Sequence, residues 1–146
     1  MKISSVSSSE YLELTELWER SVRATHHFLK EEPIKYFRAQ ILNIYLDAVQ
    51  LSCIRDESGK IQGFMGVLNN KLEMLFVEPN AIGSGVGKEL LQHAIDQLGV
   101  TKVDVNEANL QALSFYRHMG FVETGRSELD GSGKPFPLIH MELQKQ

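Results

Sequence analysis

Apolar positions along this chain follow two rhythms. Leu14, Leu17, Trp18 and Val22, with the small Ser21, share one face of a 3.6-residue spiral. Ser7 and Glu10 spell a capping box ahead of that stripe. Ile34, Phe37, Ile41 and Tyr45 make a second stripe, running to about Leu46 behind Glu31-Glu32-Pro33, a helix start with Pro at N1. Apolar positions 90, 91, 94, 95 and 98 make a third, stopped by Gly99 at C′. A fourth helix is expected over 109–119. Between these lie β-rich segments at 1–6, 49–55, 61–68, 72–77, 102–105, 121–124 and 137–143. Asp56-Glu57-Ser58-Gly59 and Asn69-Asn70 supply the turns of two hairpins. The order β-α-α-β-β-β-α-β-α-β-β is mixed α/β, and residues 1–146 read as one domain.

The stretch with the most chemistry is Val77 to Leu91, an apolar strand that enters a helix through glycines at 83, 85 and 87. Glycines there permit φ > 0 and a close backbone approach to a ligand. The helix N-terminus adds unpaired N–H groups and partial positive charge, so the loop is an anion site built of backbone. It is not a Walker A loop, G-x-x-x-x-G-K-S/T. Gly87-Lys88 supply its end, but Ile82 replaces the first Gly and Glu89 the hydroxyl that binds Mg²⁺. Nor is it a dinucleotide fingerprint, because Lys88 stands where the third Gly belongs, although Asp104 follows at a suitable distance.

Composition narrows the field. The 146 residues are 42% hydrophobic and 23% charged, an ordinary soluble balance. No stretch nears the ~20 apolar residues of a membrane span, and no signal peptide precedes the first strand. The single cysteine, Cys53, lies in an apolar run and reads as a buried strand thiol. These features lead to the expectation of a cytoplasmic protein. A net charge of −4 without a basic block argues against a nucleic-acid partner. No His or Cys spacing suits a metal site.

Ile82-Gly83-Ser84-Gly85-Val86-Gly87 resembles the Gln/Arg-x-x-Gly-x-Gly/Ala loop of the GCN5-related N-acetyltransferases. Asn109-Leu110-Gln111-Ala112-Leu113-Ser114-Phe115-Tyr116, followed by Gly120-Phe121, resembles that family's N-x-x-A-x-x-F-Y…G-F segment. The two stand in the family's order, with the strand at 102–105 between them. Thr25-His26-His27-Phe28-Leu29 and Gly125-Arg126-Ser127…Gly133-Lys134-Pro135 extend the resemblance to a bacterial subgroup, the YjaB-like N-acetyltransferases. The resemblance implies the GNAT fold, a mixed, mostly antiparallel sheet of about seven strands flanked by about four helices. It also implies acetyl-CoA as co-substrate without a metal, an amine acceptor (peptide lysine, N-terminus or small amine), and a family in which homodimers occur.

Residue by residue, the resemblance assigns coenzyme A to the backbone of 82–88, with Lys88 adding a point charge, and to Leu75, Phe76 and Val77, one of whose N–H groups polarises the thioester carbonyl. Ile82 departs from the family's Gln or Arg, which removes a contact worth about 1.5–3 kcal/mol if charged. Asn109 is expected either to touch coenzyme A or only to cap its helix. Tyr116 is expected to hydrogen-bond the leaving thiolate, since a phenol of pKa about 10 donates uphill to a thiol of roughly 8.5. A lysine-like acceptor is less than ~0.1% neutral at pH 7, so a base is required. Glu73 on its strand is one candidate, with the parity of Leu75 and Val77; His26 and His27, with Phe28 at the acceptor pocket, are the alternative. The acceptor pocket itself is expected from residues about 20–46 and 123–137. A non-catalytic acyl-CoA sensor is the second reading of the same loop.

Overall fold

The computed structural model describes residues 1–144. Seven strands form one sheet: β1 (Ile3–Ser5), β2 (Gln50–Arg55), β3 (Ile61–Leu68), β4 (Lys71–Val77), β5 (Lys102–Asn106), β6 (Phe121–Ser127) and β7 (Leu138–Leu143). Their spatial order is β1-β2-β3-β4-β5-β7-β6. All neighbours are antiparallel except β4 and β5, which are parallel. Four α-helices cover the faces: α1 (Tyr11–Thr25), α2 (Glu31–Gln40), α3 (Val86–Leu98) and α4 (Leu110–His118). Among the described residues no helix is long and apolar enough to cross a membrane.

The sheet divides the core in two because successive strand side chains point to opposite faces. One cluster packs Leu90, Leu91, Leu113, Tyr116, Val103, Val105, Ile139 and Met141 between the sheet and α3–α4. The other packs Leu14, Leu17, Trp18, Ile34, Phe64 and the buried Cys53 between the sheet and α1–α2.

The element boundaries differ from the sequence expectation in four informative places. Glu10 accepts the Ser7 N–H (3.1 Å), so the capping box is real, but it opens a single 3-10 turn (Ser8–Glu10) before α1. Pro33 lies at the third helical position, not N1, because α2 begins at Glu31. Its missing N–H falls among the donors a first turn leaves unpaired anyway. The second stripe continues beyond α2 as a π-helical turn, Ile41–Tyr45, and a 3-10 turn, Leu46–Ala48. β6 runs three residues past the expected end.

One irregularity decides the geometry of the site. In the β3–β4 ladder Gly66 faces Met74 and Val67 faces Leu72, so Glu73 is skipped. This bulge reverses the alternation of β4. Leu72, Leu75 and Val77 pack toward α3–α4, whereas Met74 and Phe76 pack toward α1–α2.

Candidate active site

β4 and β5 are paired only at Lys71–Lys102 and Leu72–Val103. Beyond Leu72 the outer edge of β4 has no ladder partner, and alternate backbone groups over Glu73–Val77 face a gap between the two strands. Glu73 and Asp104 are the first residues past the last pair, at the apex of that gap. The outward backbone groups of Leu75–Val77, where a thioester carbonyl was expected to bind, lie along that unpaired edge.

The glycine loop stands at the far end of β4. Glu78 is 5% exposed and accepts two hydrogen bonds from the Arg20 guanidinium (2.9 and 2.8 Å), which hold its carboxyl below the usual range against the opposing effect of burial. This pair ties α1 to the root of the loop. Gly83 (φ +87°) and Gly85 (φ +95°) are left-handed, and Gly85 is the N-cap of α3. The first hydrogen bond into the helix runs from the Glu89 N–H to the Gly85 carbonyl (2.9 Å). The amides of Val86, Gly87 and Lys88 therefore point outward without intrahelical acceptors. The expected unbroken row of donors from 82 to 88 is corrected: the Ile82 and Ser84 amides turn inward to the carbonyls of Pro79 (3.4 Å) and Ala81 (3.1 Å). The Ser84 hydroxyl also folds back on the Ala81 carbonyl.

A cavity of about 450 Å³ opens between this loop, β4 and α4. Leu75, Phe76, Val77, Ile82, Gly83, Gly85, Gly87, Lys88, Asn109 and Tyr116 all line it. Ser84 and Val86 do not; Val86 is turned into the core, 5% exposed. Ile82 is exposed and supplies no polar group. The outward amides, and the open space where a Cβ at Gly83 would project, fit a diphosphate approached by backbone.

Tyr116 is 7% exposed, and burial pushes its phenol pKa far upward, so the hydroxyl keeps its proton. It makes no hydrogen bond to another described side chain, yet among the described residues no buried side-chain polar atom lacks a partner. Its hydroxyl is therefore not sealed in the core, and Tyr116 is among the residues that line the cavity.

His26 lies on this cavity and not in a separate acceptor pocket. Thr25 Oγ1 donates to the Ser21 carbonyl (2.7 Å) and so accepts from His26 Nδ1 (2.7 Å). That fixes the tautomer, leaving Nε2 as acceptor for Asn109 Nδ2 (3.1 Å). Burial, with a smaller contribution from the neighbouring His27, lowers the His26 pKa to about 4. A ring so disposed is a poor base. His27 is exposed; Phe28 packs on His26 with centroids 5.3 Å apart, and neither lines the cavity.

Glu73 also lies elsewhere. The bulge removes it from the face of Leu75 and Val77, and it lines a second cavity, about 530 Å³, with Lys71, Asp104 and His140. Here sequence reasoning missed a network. Lys71 Nζ is 2.6 Å from Asp104 Oδ2 and 3.9 Å from Glu73 Oε1. His140 Nδ1 is 2.6 Å from Asp104 Oδ1, and its Nε2 is 2.6 Å from Ser127 Oγ. Burial raises the Asp104 pKa, but hydrogen bonds from His140 and Lys71 outweigh it and hold the carboxyl below its ordinary value. A signal was present: Asp104 interrupts Val103 and Val105, and His140 interrupts Ile139 and Met141, placing both on the face opposite Tyr116. The segments expected to wall the acceptor pocket do meet, through Tyr45 Oη and Ser132 Oγ (3.0 Å) and through Lys134 Nζ over the Tyr36 ring (4.4 Å). Of those segments, only Thr124 lines the second cavity.

A family model described as an acetyltransferase (GNAT) domain matches residues 14–145. The peptidyl-lysine N-acetyltransferase YjaB of Escherichia coli K12 is 38% identical over 132 residues, covering 88% of this chain and 87% of that protein. The peptidyl-lysine N-acetyltransferase YiaC of the same organism is 30% identical over 114 residues, covering 77% of each. The solution structure of apo YjaB from E. coli superposes with a TM-score of 0.89 at 36% identity, covering both chains fully. The PaiA N-acetyltransferase of Thermoplasma acidophilum, solved in complex with coenzyme A, shares the fold at a TM-score of 0.73 and 22% identity, covering 99% of this chain and 98% of that one.

Proposed function

The chain belongs to the acetyltransferase (GNAT) family and is an acetyl-CoA-dependent N-acetyltransferase, and from that premise we propose that its acceptor is the ε-amine of a lysine within a peptide or protein. The observation that carries the site assignment is the gap between β4 and β5, with an amide-lined cavity at the glycine loop and a carboxylate-bearing cavity at the apex. YjaB and YiaC, both named as peptidyl-lysine N-acetyltransferases, support the acceptor class.

Acetyl-CoA supplies an activated thioester carbonyl and a thiol leaving group. The outward amides of Val86, Gly87 and Lys88 bind its diphosphate, aided by the helix dipole. The free edge of Leu75–Val77 offers N–H groups to the carbonyl oxygen, where donors act most strongly as charge develops. The buried Tyr116 hydroxyl offers a hydrogen bond to the sulfur. On the opposite face of the sheet the Asp104 carboxylate, steadied by His140, receives the acceptor's ammonium, and Glu73 at 3.9 Å from Lys71 adds a second negative charge there. The two cavities, which share no lining residue, keep donor and acceptor on separate approaches to one gap. Cys53, fully buried in the α1–α2 core, takes no part.

The test is an acetyl-transfer assay on three amines: a lysine peptide with a blocked N-terminus, a lysine-free peptide with a free N-terminus, and a polyamine. Thiol release and acetyl-lysine by mass spectrometry are expected with the first. Preferential turnover of either of the others overturns the lysine assignment. Acetyl-CoA binding with no turnover on any amine favours the sensor reading instead.

A further inference from the structure

The cavity at the apex already contains a primary ammonium, the functional group the reaction consumes. Lys71 is the residue before the last β4–β5 pair, and its side chain reaches forward past that pair to Asp104 Oδ2 at 2.6 Å, with Glu73 Oε1 at 3.9 Å. Its side chain is 34% exposed, so the head group is neither locked in the core nor free on the surface. Asp104 Oδ1 is taken by His140, which leaves Oδ2 as the oxygen available to an ammonium, and Lys71 occupies it. A structural clamp between parallel strands would explain the ion pair alone. It does not explain why the lysine is placed beside the splayed backbone edge, in the cavity suited to an acceptor.

We propose that Lys71 is an internal acetyl acceptor: without a peptide, the enzyme transfers the acetyl group of bound acetyl-CoA to its own Lys71 Nζ. This rests on the reading of the β4–β5 gap as the transfer site. The Nζ–C bond forms at the thioester carbonyl and the C–S bond breaks. Of the two protons the ammonium gives up, one ends on the sulfur of coenzyme A. The other passes to the Asp104 carboxylate and on to solvent. The product is N-acetyl-Lys71, a neutral side chain that no longer pairs with Asp104 or Glu73. The internal reaction is slower than peptide acetylation: burial works to discharge the Lys71 ammonium, but the hydrogen bond to Asp104 and the charges of Asp104 and Glu73 together hold it in its charged form.

The experiment incubates the purified full chain with acetyl-CoA alone and follows intact mass and peptide mapping. A single acetyl increment at Lys71 is expected, ahead of the exposed Lys88 and Lys102. It should appear at a rate unchanged by diluting the protein, be suppressed by excess desulfo-CoA, and be lost in Lys71→Arg. Added lysine peptide should slow it. Lys71 remaining unmodified while the same preparation acetylates a lysine peptide overturns this inference and leaves the transferase reading intact. Acetylation of Lys71 no faster than of Lys88 and Lys102, or equal with acetyl phosphate as donor, identifies chemical modification and overturns it too. If neither the peptide nor Lys71 is acetylated, both readings fall together.

Discussion

Asn109 Nδ2 donates to His26 Nε2 at 3.1 Å, joining the residue after α1 to the residue before α4. The same amide's oxygen accepts the Ala112 N–H at 3.1 Å, so one side chain both caps α4 and holds the histidine. His26 in turn leans on Phe76 of β4, with ring centroids 6.5 Å apart. The Asn109 N–H also donates to the Asn106 carbonyl at the end of β5 (2.9 Å), so Asn109 links the two strands that flank the gap.

That dual role separates two substitutions. Asn109→Ala removes the cap and should cost about 1 kcal/mol of stability by urea unfolding. Asn109→Asp keeps an acceptor for the Ala112 N–H but loses the donor to His26, so stability should change little. If Asn109 also binds coenzyme A through its amide, the Asp variant should still lose acetyl-CoA affinity. Equal affinity for wild type and Asn109→Asp would reduce the residue to a helix cap.

His26 gives a pH dependence whose sign can be worked out. Its folded pKa of about 4 lies below the ordinary 6.5, so between these values the unfolded chain binds more protons than the folded one. Stability from this group is fully present above pH 6.5 and is lost as pH falls through 4. The total is at most ~3 kcal/mol. Urea unfolding across that window should show a flatter profile for His26→Asn than for wild type, and the imidazole resonances should titrate near 4. A midpoint near 6.5 would mean that the ring is not held neutral.

The glycine loop allows folding and binding to be separated. Gly85 needs φ +95°, and Gly85→Ala should cost about 1–2 kcal/mol in strain alone. Gly87 is different: it is helical, and an added Cβ would sit 3.6 Å from Val77 Cγ2 and 3.8 Å from Phe115 Cζ, ordinary contacts. Gly87→Ala should therefore hold or raise stability, by about 0.5–1 kcal/mol. Its methyl group would nonetheless stand among the outward amides, and acetyl-CoA affinity should fall. Calorimetric binding beside thermal unfolding checks both halves.

Much of this arrangement was legible in the amino-acid order, and what was not has a physical reason. Helical and strand periodicities report which face is apolar, so four helices and seven strands emerge with only their ends displaced. The glycine loop was legible because it is local: Gly83, Gly85 and Gly87 lie within five residues and shape it with their own backbone. The proposed acceptor side is not local. Asp104, His140, Ser127 and Lys71 come from four strands and meet only through sheet order and register. Glu73 was misplaced for a subtler cause, since one skipped residue inverts every parity argument upstream of it, and nothing in Leu72–Met74 announces a bulge.

Ile82 offers a gain-of-function prediction. It is 43% exposed at the rim of the cavity and belongs to neither core cluster. Ile82→Gln or Ile82→Arg buries nothing and breaks no contact in the core, so stability should be preserved. A new hydrogen bond to the diphosphate should tighten acetyl-CoA binding by about ten-fold, equivalent to ~1.4 kcal/mol. The Arg variant's gain should shrink as salt is added.

Tyr116 is the sharpest test of the chemical step. Its ring packs against Phe121 and Phe115 (centroids 5.8 and 5.2 Å), so Tyr116→Phe leaves the shape of the core unchanged and removes only the hydroxyl that opens on the cavity. With its pKa driven upward by burial, that hydroxyl cannot hand over its proton cheaply; it can only donate a hydrogen bond to sulfur as negative charge accumulates. The variant should therefore bind acetyl-CoA normally, keep its KM for the acceptor, and lose roughly 10²-fold in kcat, the low end of what a positioned acid contributes. Activity at high pH should decline no earlier in wild type than in Tyr116→Phe, because the phenol does not ionise in the accessible range. A wild-type rate that falls with a midpoint near pH 8, absent from the variant, would instead mark Tyr116 as a true proton donor.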